Sequence, residues 1–114
     1  MTPKRTYVDQ LRDILTAATH AEQFVADLDL QSFITNPEKV YAVTRALEII
    51  GEAARQIPVS IQDTYPQLPW QEMIGMRNVV IHNYFGVDNE VLWRTVHEDL
   101  PPLRAAIAAV LTEI

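Results

Sequence analysis

The chain has 114 residues, enough for one domain with a single core and too few for two, so we expect a single domain spanning residues 1–114. It contains no cysteine, which excludes disulfides, thiolate zinc sites and cysteine nucleophiles. No apolar run approaches the roughly 18 residues that a membrane helix needs, and none follows Lys4 and Arg5 as in a signal peptide. The sequence therefore predicts a cytoplasmic protein with no membrane segment.

The net charge of −6 argues against a nucleic-acid binder of the usual kind. Such proteins present a basic surface, because contacts from Lys and Arg to phosphate supply most of their affinity. An RNA substrate would need local and weak binding, or a groove that oligomerisation builds. The alternative is that the acidic surface meets a protein partner.

Two long helices are predicted in the first half of the chain. Apolar residues at three- and four-residue steps predict the first over residues 4–28. The second begins where Asn36 can cap it, Pro37 fits its first position and Glu38 suits the positive end of its dipole. Pro58 ends it. The stripe of this helix opposite its apolar face carries Arg45, Glu48, Glu52 and Arg55.

Shorter elements follow in the second half. Residues 59–69 form a proline-broken connection with at most one helical turn, and a third helix covers residues 70–85, with Gly86 placed to end it. Asp88 can cap a fourth helix over 89–100.

The end of the chain is predicted to hold one more helix. The pair Pro101-Pro102 interrupts the fourth helix, and a last helix covers 103–114. No segment alternates with period two over the length of a strand. Amphipathic helices joined by short loops predict an all-α, four- to five-helix up-and-down bundle.

The third helix carries the candidate chemistry. At about 100° per residue, one of its faces gathers Trp70, Met73, Ile74, Arg77, Ile81 and Tyr84. A guanidinium on an apolar stripe is costly to desolvate without a partner. We therefore expect Arg77 either to pair with a carboxylate, Glu48 or Glu52, or to open into a pocket. The same two glutamates invite a metal-site interpretation, but a salt-bridged face or support for Arg77 is favoured, since no histidine is placed beside them.

A neighbouring face of the third helix carries Asn78 and His82, four residues apart. A lone histidine is more often structural than catalytic. Arg77 and His82 lie about 140° apart on an ideal helix. They meet on one substrate if the substrate wraps the helix edge, if the helix loosens near its end, or if a second chain contributes. The last option fits a symmetric homodimer with a composite cleft.

The segment RNVVIH, residues 77–82, resembles the signature of the HEPN ribonuclease superfamily: an arginine, a polar residue, three variable positions and a histidine. With Asn83 and Tyr84 it is similar to the fuller motif of HepT-like toxins, in which a tyrosine follows the histidine after one residue. Further stretches that resemble this family are ALEIIGEAAR (46–55), Pro69-Trp70 and VDNEVLWRTVHEDLPPL (87–103). The resemblance thus extends over essentially the whole chain.

The resemblance implies a helical bundle that dimerises and cleaves RNA without metal or cofactor, using the 2′-hydroxyl as internal nucleophile. His82 would be the general base or acid, a role that suits a group with pKa near neutrality. Arg77 would hold the scissile phosphate and stabilise its developing charge. Asn78 would position the phosphate or the histidine. The remaining histidines, His20 and His97, are interpreted as surface or structural residues.

The resemblance also implies regulation through Tyr84. In HepT-like toxins this tyrosine accepts AMP from a cognate MntA-type minimal nucleotidyltransferase, the antitoxin of a type VII-like toxin–antitoxin pair. Tyr84 lies seven residues after Arg77, only about 20° away around an ideal helix. An AMP group there would occupy the charge of Arg77 and block RNA. The alternative is a half-buried aromatic whose hydroxyl finds a neighbour.

Two other function classes remain open. A non-catalytic module of the same fold would hold or regulate a nucleotidyltransferase, which the acidic charge favours and the complete motif disfavours. A purely structural helical dimer would have Arg77 fully paired in its core, and His82→Ala would cost stability rather than activity.

Overall fold

Seven α-helices and one π-helical segment account for most of the described chain. The computed structural model describes residues 5–83 and 88–114, and for residues 81–83 it describes the backbone only. The elements are α1 (Tyr7–Val25), α2 (Leu30–Ile34), α3 (Pro37–Gln56), α4 (Val59–Thr64), α5 (Trp70–Asn83), α6 (Asn89–Arg94), the π segment (Thr95–Asp99) and α7 (Leu100–Glu113). The described residues form no strand, and the predicted all-α bundle is confirmed. None of the described helices has the length and apolar character needed to cross a bilayer.

Helices α1 and α3 form an antiparallel pair at the centre of the bundle. Near the start of α1, the Gln10 amide donates to the Gln56 amide oxygen at the end of α3, at 2.9 Å. Near the other end, the Lys39 ammonium lies 5.8 Å from the centroid of the Phe24 ring. Fully buried side chains between the two helices include Leu11, Ile14, Ala18, Ala21, Val43, Leu47, Ile50 and Ala54. Each buried Leu or Ile contributes about 1.5–3 kcal/mol, so this interface dominates the core.

The predicted start signals are confirmed for two helices. The Asn36 side chain accepts from the Lys39 amide at 3.2 Å, and Pro37 is the first residue of α3. The Asp88 side chain accepts from the Val91 amide at 3.2 Å at the start of α6. Both side chains satisfy amide groups that a helix leaves without intrahelical partners.

The predicted first helix, residues 4–28, is too long. Thr6 caps α1, its amide donating to Asp9 Oδ2 at 3.0 Å, and the helix ends at Val25. A separate short helix, α2, was not predicted. Asp29 caps it by accepting from the Ser32 amide at 2.8 Å, and its Phe33 is fully buried. The chain turns here because Asp29 satisfies a new helix start and Phe33 anchors that turn in the core. In the following connection, α4 has six residues rather than at most one turn.

The predicted break at Pro101-Pro102 is wrong. The helix that starts at Asn89 continues through the π segment into α7. In the π segment the Leu100 amide donates to the Thr95 carbonyl, five residues back. The wider turn places both prolines in the first turn of α7, where an amide donor is not needed. The predicted end of α5 at residues 84–86 lies outside the described residues.

Helix α5 lies against α3 at a glycine. A Cβ atom added to Gly51 would lie 3.1 Å from the Arg77 backbone nitrogen and 3.3 Å from its Cβ. Real Cβ atoms rarely approach this closely, so the missing side chain of Gly51 sets how near α5 comes to α3. Met73, Met76 and Val80 of α5 are buried around this crossing.

We expect Gly51→Ala and Gly75→Ala to affect stability differently. Both replace a helical glycine and gain roughly 1 kcal/mol of helix propensity. Nothing lies within 4 Å of a Cβ at Gly75, so this variant should melt several degrees above wild type. At Gly51 the added methyl meets backbone, and overpacking of about 1–3 kcal/mol offsets the gain. Thermal unfolding followed by circular dichroism tests this, and equal gains in Tm would contradict the close approach.

Asp99, the last residue of the π segment, is partly buried. Its burial, and then the nearby carboxylates of Glu72 and Glu98, raise the pKa of Asp99 above its ordinary value. A carboxyl with a raised pKa in the folded state binds its proton more tightly there than in the unfolded chain. The charged form of Asp99 therefore destabilises the fold at neutral pH, and protonation relieves this as pH falls.

We expect Asp99→Asn to raise Tm at pH 7 by a few degrees at most, because the group keeps contact with solvent. The gain should shrink as pH falls through the folded pKa of Asp99 toward the ordinary value of a carboxyl. Melting curves of both proteins between neutral and acidic pH measure it. A gain in Tm that stays constant over this range would rule out the titration of Asp99 as its cause.

Candidate functional site

Arg77 lies at the rim of the core, not inside it. Its side chain is 47% exposed, and Nη1 is 3.9 Å from Oε1 of Glu52 on α3. The same Glu52 oxygen is 3.8 Å from Nη2 of Arg55. Glu52 is thus shared between two arginines, with both nitrogens beyond ordinary hydrogen-bond distance. Of the two predicted partners, Glu48 and Glu52, Arg77 pairs with Glu52, and this pair is loose.

The predicted apolar face of α5 is rotated from the observed one. Among residues 70–80 the buried ones are Trp70, Met73, Met76 and Val80, whereas Ile74 is only partly buried. The side chains of Ile81 and Tyr84, also predicted on this face, lie outside the described residues. Arg77 borders this buried stripe instead of lying within it. A helical wheel of α5 alone does not reveal where its neighbours pack, and α3 approaches α5 at the Arg77 backbone. The Trp70 indole donates to the Tyr65 carbonyl at 2.9 Å and fixes the start of the helix.

A polar groove of about 400 Å³ lies between α1 and α3, on the side of Glu52. We call it the α1–α3 groove; it is lined by Arg5, Gln10, Asp13, Arg45, Glu48, Ile49, Glu52, Ala53 and Gln56. Ion pairs join Arg5 to Asp13 and Arg45 to Glu48. Because Glu52 lines the groove and pairs with Arg77, the groove leads to the motif arginine.

The groove residues of α1 were missed in the sequence. Gln10 and Asp13 lie on the partly exposed edge of this amphipathic helix, Arg5 lies just before its cap, and no motif marks any of the three. The α3 residues were recognised as a charged stripe, since they recur at helical spacing. The pairing across the two helices, as between Gln10 and Gln56, depends on tertiary packing.

The other motif residues follow Arg77 along α5. Asn78 is exposed, one residue beyond Arg77. The backbone of His82 belongs to α5 one turn after Asn78, in agreement with the predicted spacing. The side chain of His82 and all of Tyr84 lie outside the described residues, so the structure leaves their predicted roles untested.

The two remaining histidines, predicted to be surface or structural residues, are both exposed. His20 lies beside Phe24, with ring centroids 6.2 Å apart. His97 stacks on Trp93 with centroids 4.0 Å apart, and its Nδ1 is 2.9 Å from the Trp93 carbonyl.

Glu48 and Glu52 face arginines. Glu48 pairs with Arg45, and Glu52 lies between Arg55 and Arg77. Among the described side chains, those of residues 5–80 and 88–114, no cluster of three or more His, Asp or Glu could hold a metal ion. The favoured salt-bridged face is therefore what the structure shows for these two carboxylates.

A family model described as ribonuclease HepT-like matches residues 14–110, which include the helix crossing, Arg77 and the whole motif. The chain belongs to the HepT-like ribonuclease family. No solved structure gives a significant match.

Several relatives match over nearly their full length. A candidate RNase of Methanocaldococcus jannaschii is 45% identical over 107 residues, which cover 94% of this chain and 98% of that protein. A protein of Thermococcus cleftensis named probable ribonuclease HepT is 46% identical over 101 residues, covering 89% and 92% of the two chains. A second candidate RNase of M. jannaschii is 38% identical over 112 residues, covering 98% and 97%.

Proposed function

We propose that this chain is the toxin of a type VII-like toxin–antitoxin system, a metal-independent endoribonuclease that acts through Arg77, Asn78 and His82. The observation that carries the proposal is the setting of Arg77: its half-exposed guanidinium is loosely paired with Glu52, which lines the polar α1–α3 groove. A permanently charged planar fork in this setting is available to a phosphate.

The proposed reaction is an internal transfer within RNA. The 2′-hydroxyl attacks the adjacent phosphorus and loses its proton, the bond to the 5′-oxygen breaks, and that oxygen gains a proton. The products are a 2′,3′-cyclic phosphate and a free 5′-hydroxyl. His82 moves one of these protons, Arg77 neutralises the charge that builds on the phosphate oxygens, and Asn78 orients the phosphate by hydrogen bonding.

We further propose that the working form is a homodimer whose two motif helices face one cleft. Arg77 and His82 are five residues apart, about 140° around an ideal helix. A second copy related by two-fold symmetry would bring the histidine of one motif toward the arginine of the other. Such a cleft would also concentrate positive charge that the acidic single chain lacks.

Regulation is proposed to act on Tyr84. A minimal nucleotidyltransferase of MntA type would transfer AMP from a nucleoside triphosphate to the tyrosine oxygen, with pyrophosphate leaving. The sequence spacing favours a modified Tyr84 on the same side of the motif helix as Arg77. The added phosphate would then compete with RNA for the guanidinium, and the nucleoside would fill the space that RNA needs.

One alternative is supported by a specific observation. The net charge of −6 and the carboxylates that pair with the groove arginines Arg5 and Arg45 fit a non-catalytic module that holds or regulates a nucleotidyltransferase. The purely structural interpretation is weaker, because it requires Arg77 to be fully paired in the core, whereas its side chain is 47% exposed.

We expect the unmodified protein to cleave total cellular RNA in the presence of EDTA, leaving cyclic-phosphate ends. His82→Ala and Arg77→Ala should each lower the rate at least about 100-fold, since they remove proton transfer and charge stabilisation respectively. Arg77→Lys should retain little of the wild-type activity, because the lysine ammonium lacks the planar, two-pronged hydrogen-bonding geometry of a guanidinium. Gel analysis of the RNA, with end-group chemistry, measures the outcome.

Circular dichroism should show every variant folded. Wild type confirmed by mass to be unmodified at Tyr84, yet inactive with and without divalent cations, would move the function to the binding module. Cleavage only when a divalent cation is added would contradict metal independence. Light scattering at micromolar concentration checks the composite cleft, and an active monomer would contradict it.

We expect co-expression with the cognate nucleotidyltransferase to give a mass increase of one or more AMP groups, lost in Tyr84→Phe. Tyr41→Phe is the matched control, since Tyr41 is a strongly exposed tyrosine outside the motif. Intact-protein mass spectrometry reads the adduct. An adduct that persists in Tyr84→Phe would place the modification elsewhere, and none on wild type beside a demonstrably active transferase would remove this mechanism.

A further inference from the structure

One exposed stripe of α3 runs from its first turns to the helix crossing. Five side chains line it at helical spacing: Tyr41, Arg45, Glu48, Glu52 and Arg55. On an ideal helix these positions fall within an arc of about 80°. Three of the five also line the α1–α3 groove, so stripe and groove form one continuous surface that ends beside Arg77.

The far end of this surface is an exposed aromatic ring. Tyr41 is 74% exposed. Within the described part of the chain, Tyr41 makes no hydrogen bond or ring contact. An exposed ring beside a charged groove offers a face on which an unpaired nucleobase can stack.

The charge of this surface differs from that of the chain. Four of the nine basic residues lie in the groove or at its edge, namely Arg5, Arg45, Arg55 and Arg77. They face three carboxylates, Asp13, Glu48 and Glu52. Four positive and three negative groups give a local charge of +1 on a chain of net charge −6. An anionic strand is therefore repelled less here than by the average surface.

The positions along α3 suit a strand of a few nucleotides. Arg45 lies six residues before Gly51, the crossing point with Arg77, and Tyr41 ten residues before it. At a rise of 1.5 Å per residue, these positions are about 9 and 15 Å from the crossing along the helix axis. A strand held at Arg77 thus reaches a second cation and then an aromatic ring.

We propose that the α1–α3 groove and the α3 stripe are the track for single-stranded RNA flanking the scissile phosphate, with Arg45 contacting a phosphate and Tyr41 stacking on a base. This rests on the proposed ribonuclease function and adds the residues that hold the strand beside the cut. Stacking on Tyr41 favours unpaired bases, because a base inside a duplex has its faces covered by its neighbours. Arg45 must exchange its exposed pair with Glu48 for the phosphate, a small cost for a solvated ion pair.

The test measures binding of a short 5′-fluorescein oligoadenylate by fluorescence anisotropy, with the full chain carrying His82→Ala so that the RNA stays intact. Tyr41→Ala should weaken binding on the order of tenfold, and Tyr41→Phe should leave it unchanged. Arg45→Ala should weaken binding and lower the dependence of log K on log salt by about 0.7. Arg104→Ala is the matched control, because Arg104 is also a half-exposed arginine in an ion pair, with Glu22 on another face.

Each other outcome contradicts the track. Loss of affinity in Arg77→Ala with full affinity in Tyr41→Ala and Arg45→Ala would overturn the track and leave the ribonuclease intact. Equal losses in Arg45→Ala and Arg104→Ala would indicate general charge and not a defined path. If Tyr41→Ala lowers the molar mass in solution from dimer toward monomer, as measured by light scattering, and keeps full RNA affinity, Tyr41 would be assigned to a contact with a second copy. No RNA binding by the His82→Ala protein, with no cleavage by wild type, would overturn both proposals.

Discussion

The close approach of α5 to α3 at Gly51 is the constraint on which the site depends. The Arg77 backbone lies where a Cβ of residue 51 would otherwise press against it. The arginine therefore starts at the contact between two helices, and its side chain extends toward Glu52, the next residue on α3. Packing fixes the origin of the side chain, while the loosely held guanidinium keeps freedom to reach a ligand. A glycine in the middle of a helix costs roughly 1 kcal/mol of helix propensity. The close approach of the two helices requires this glycine in spite of that cost.

The local arrangement of charge shows how an acidic chain could accept the anionic substrate of the proposed function. Each arginine at the groove has a carboxylate neighbour, so the apo surface carries little excess charge. Exposed pairs of this kind are worth about 0–1 kcal/mol and yield readily to a phosphate. Under the proposed function, the carboxylates would stay nearby after the exchange and would weaken the hold on RNA. A site built this way favours modest affinity and relies on contacts made during the reaction.

The sequence predicted those parts of the fold whose signals are local. Asn36, Pro37 and Asp88 act on the first turn of their own helices, and each lies at a predicted helix start. The failures come from contacts between distant segments. The Pro101-Pro102 pair breaks a regular helix, but the π segment before it shifts the register so that the helix continues. At the site, the motif and the charged stripe were readable from spacing, whereas the rotation of α5 that leaves Arg77 at the rim depends on where α3 lies.

The loose hold on Arg77 also connects the two proposed activities of the motif helix. A guanidinium locked in a bidentate pair would resist both RNA and a modifying group, because each must replace the carboxylate. Arg77 is half exposed and 3.9 Å from Glu52, so replacing this carboxylate costs little. The cost is the same whether the incoming phosphate belongs to RNA or to an AMP group. A phosphate tethered to the same helix has a high effective concentration at Arg77, whereas RNA must arrive from solution. Under the proposed function, a covalent AMP group would therefore outcompete RNA at this arginine even if its intrinsic contact were no stronger.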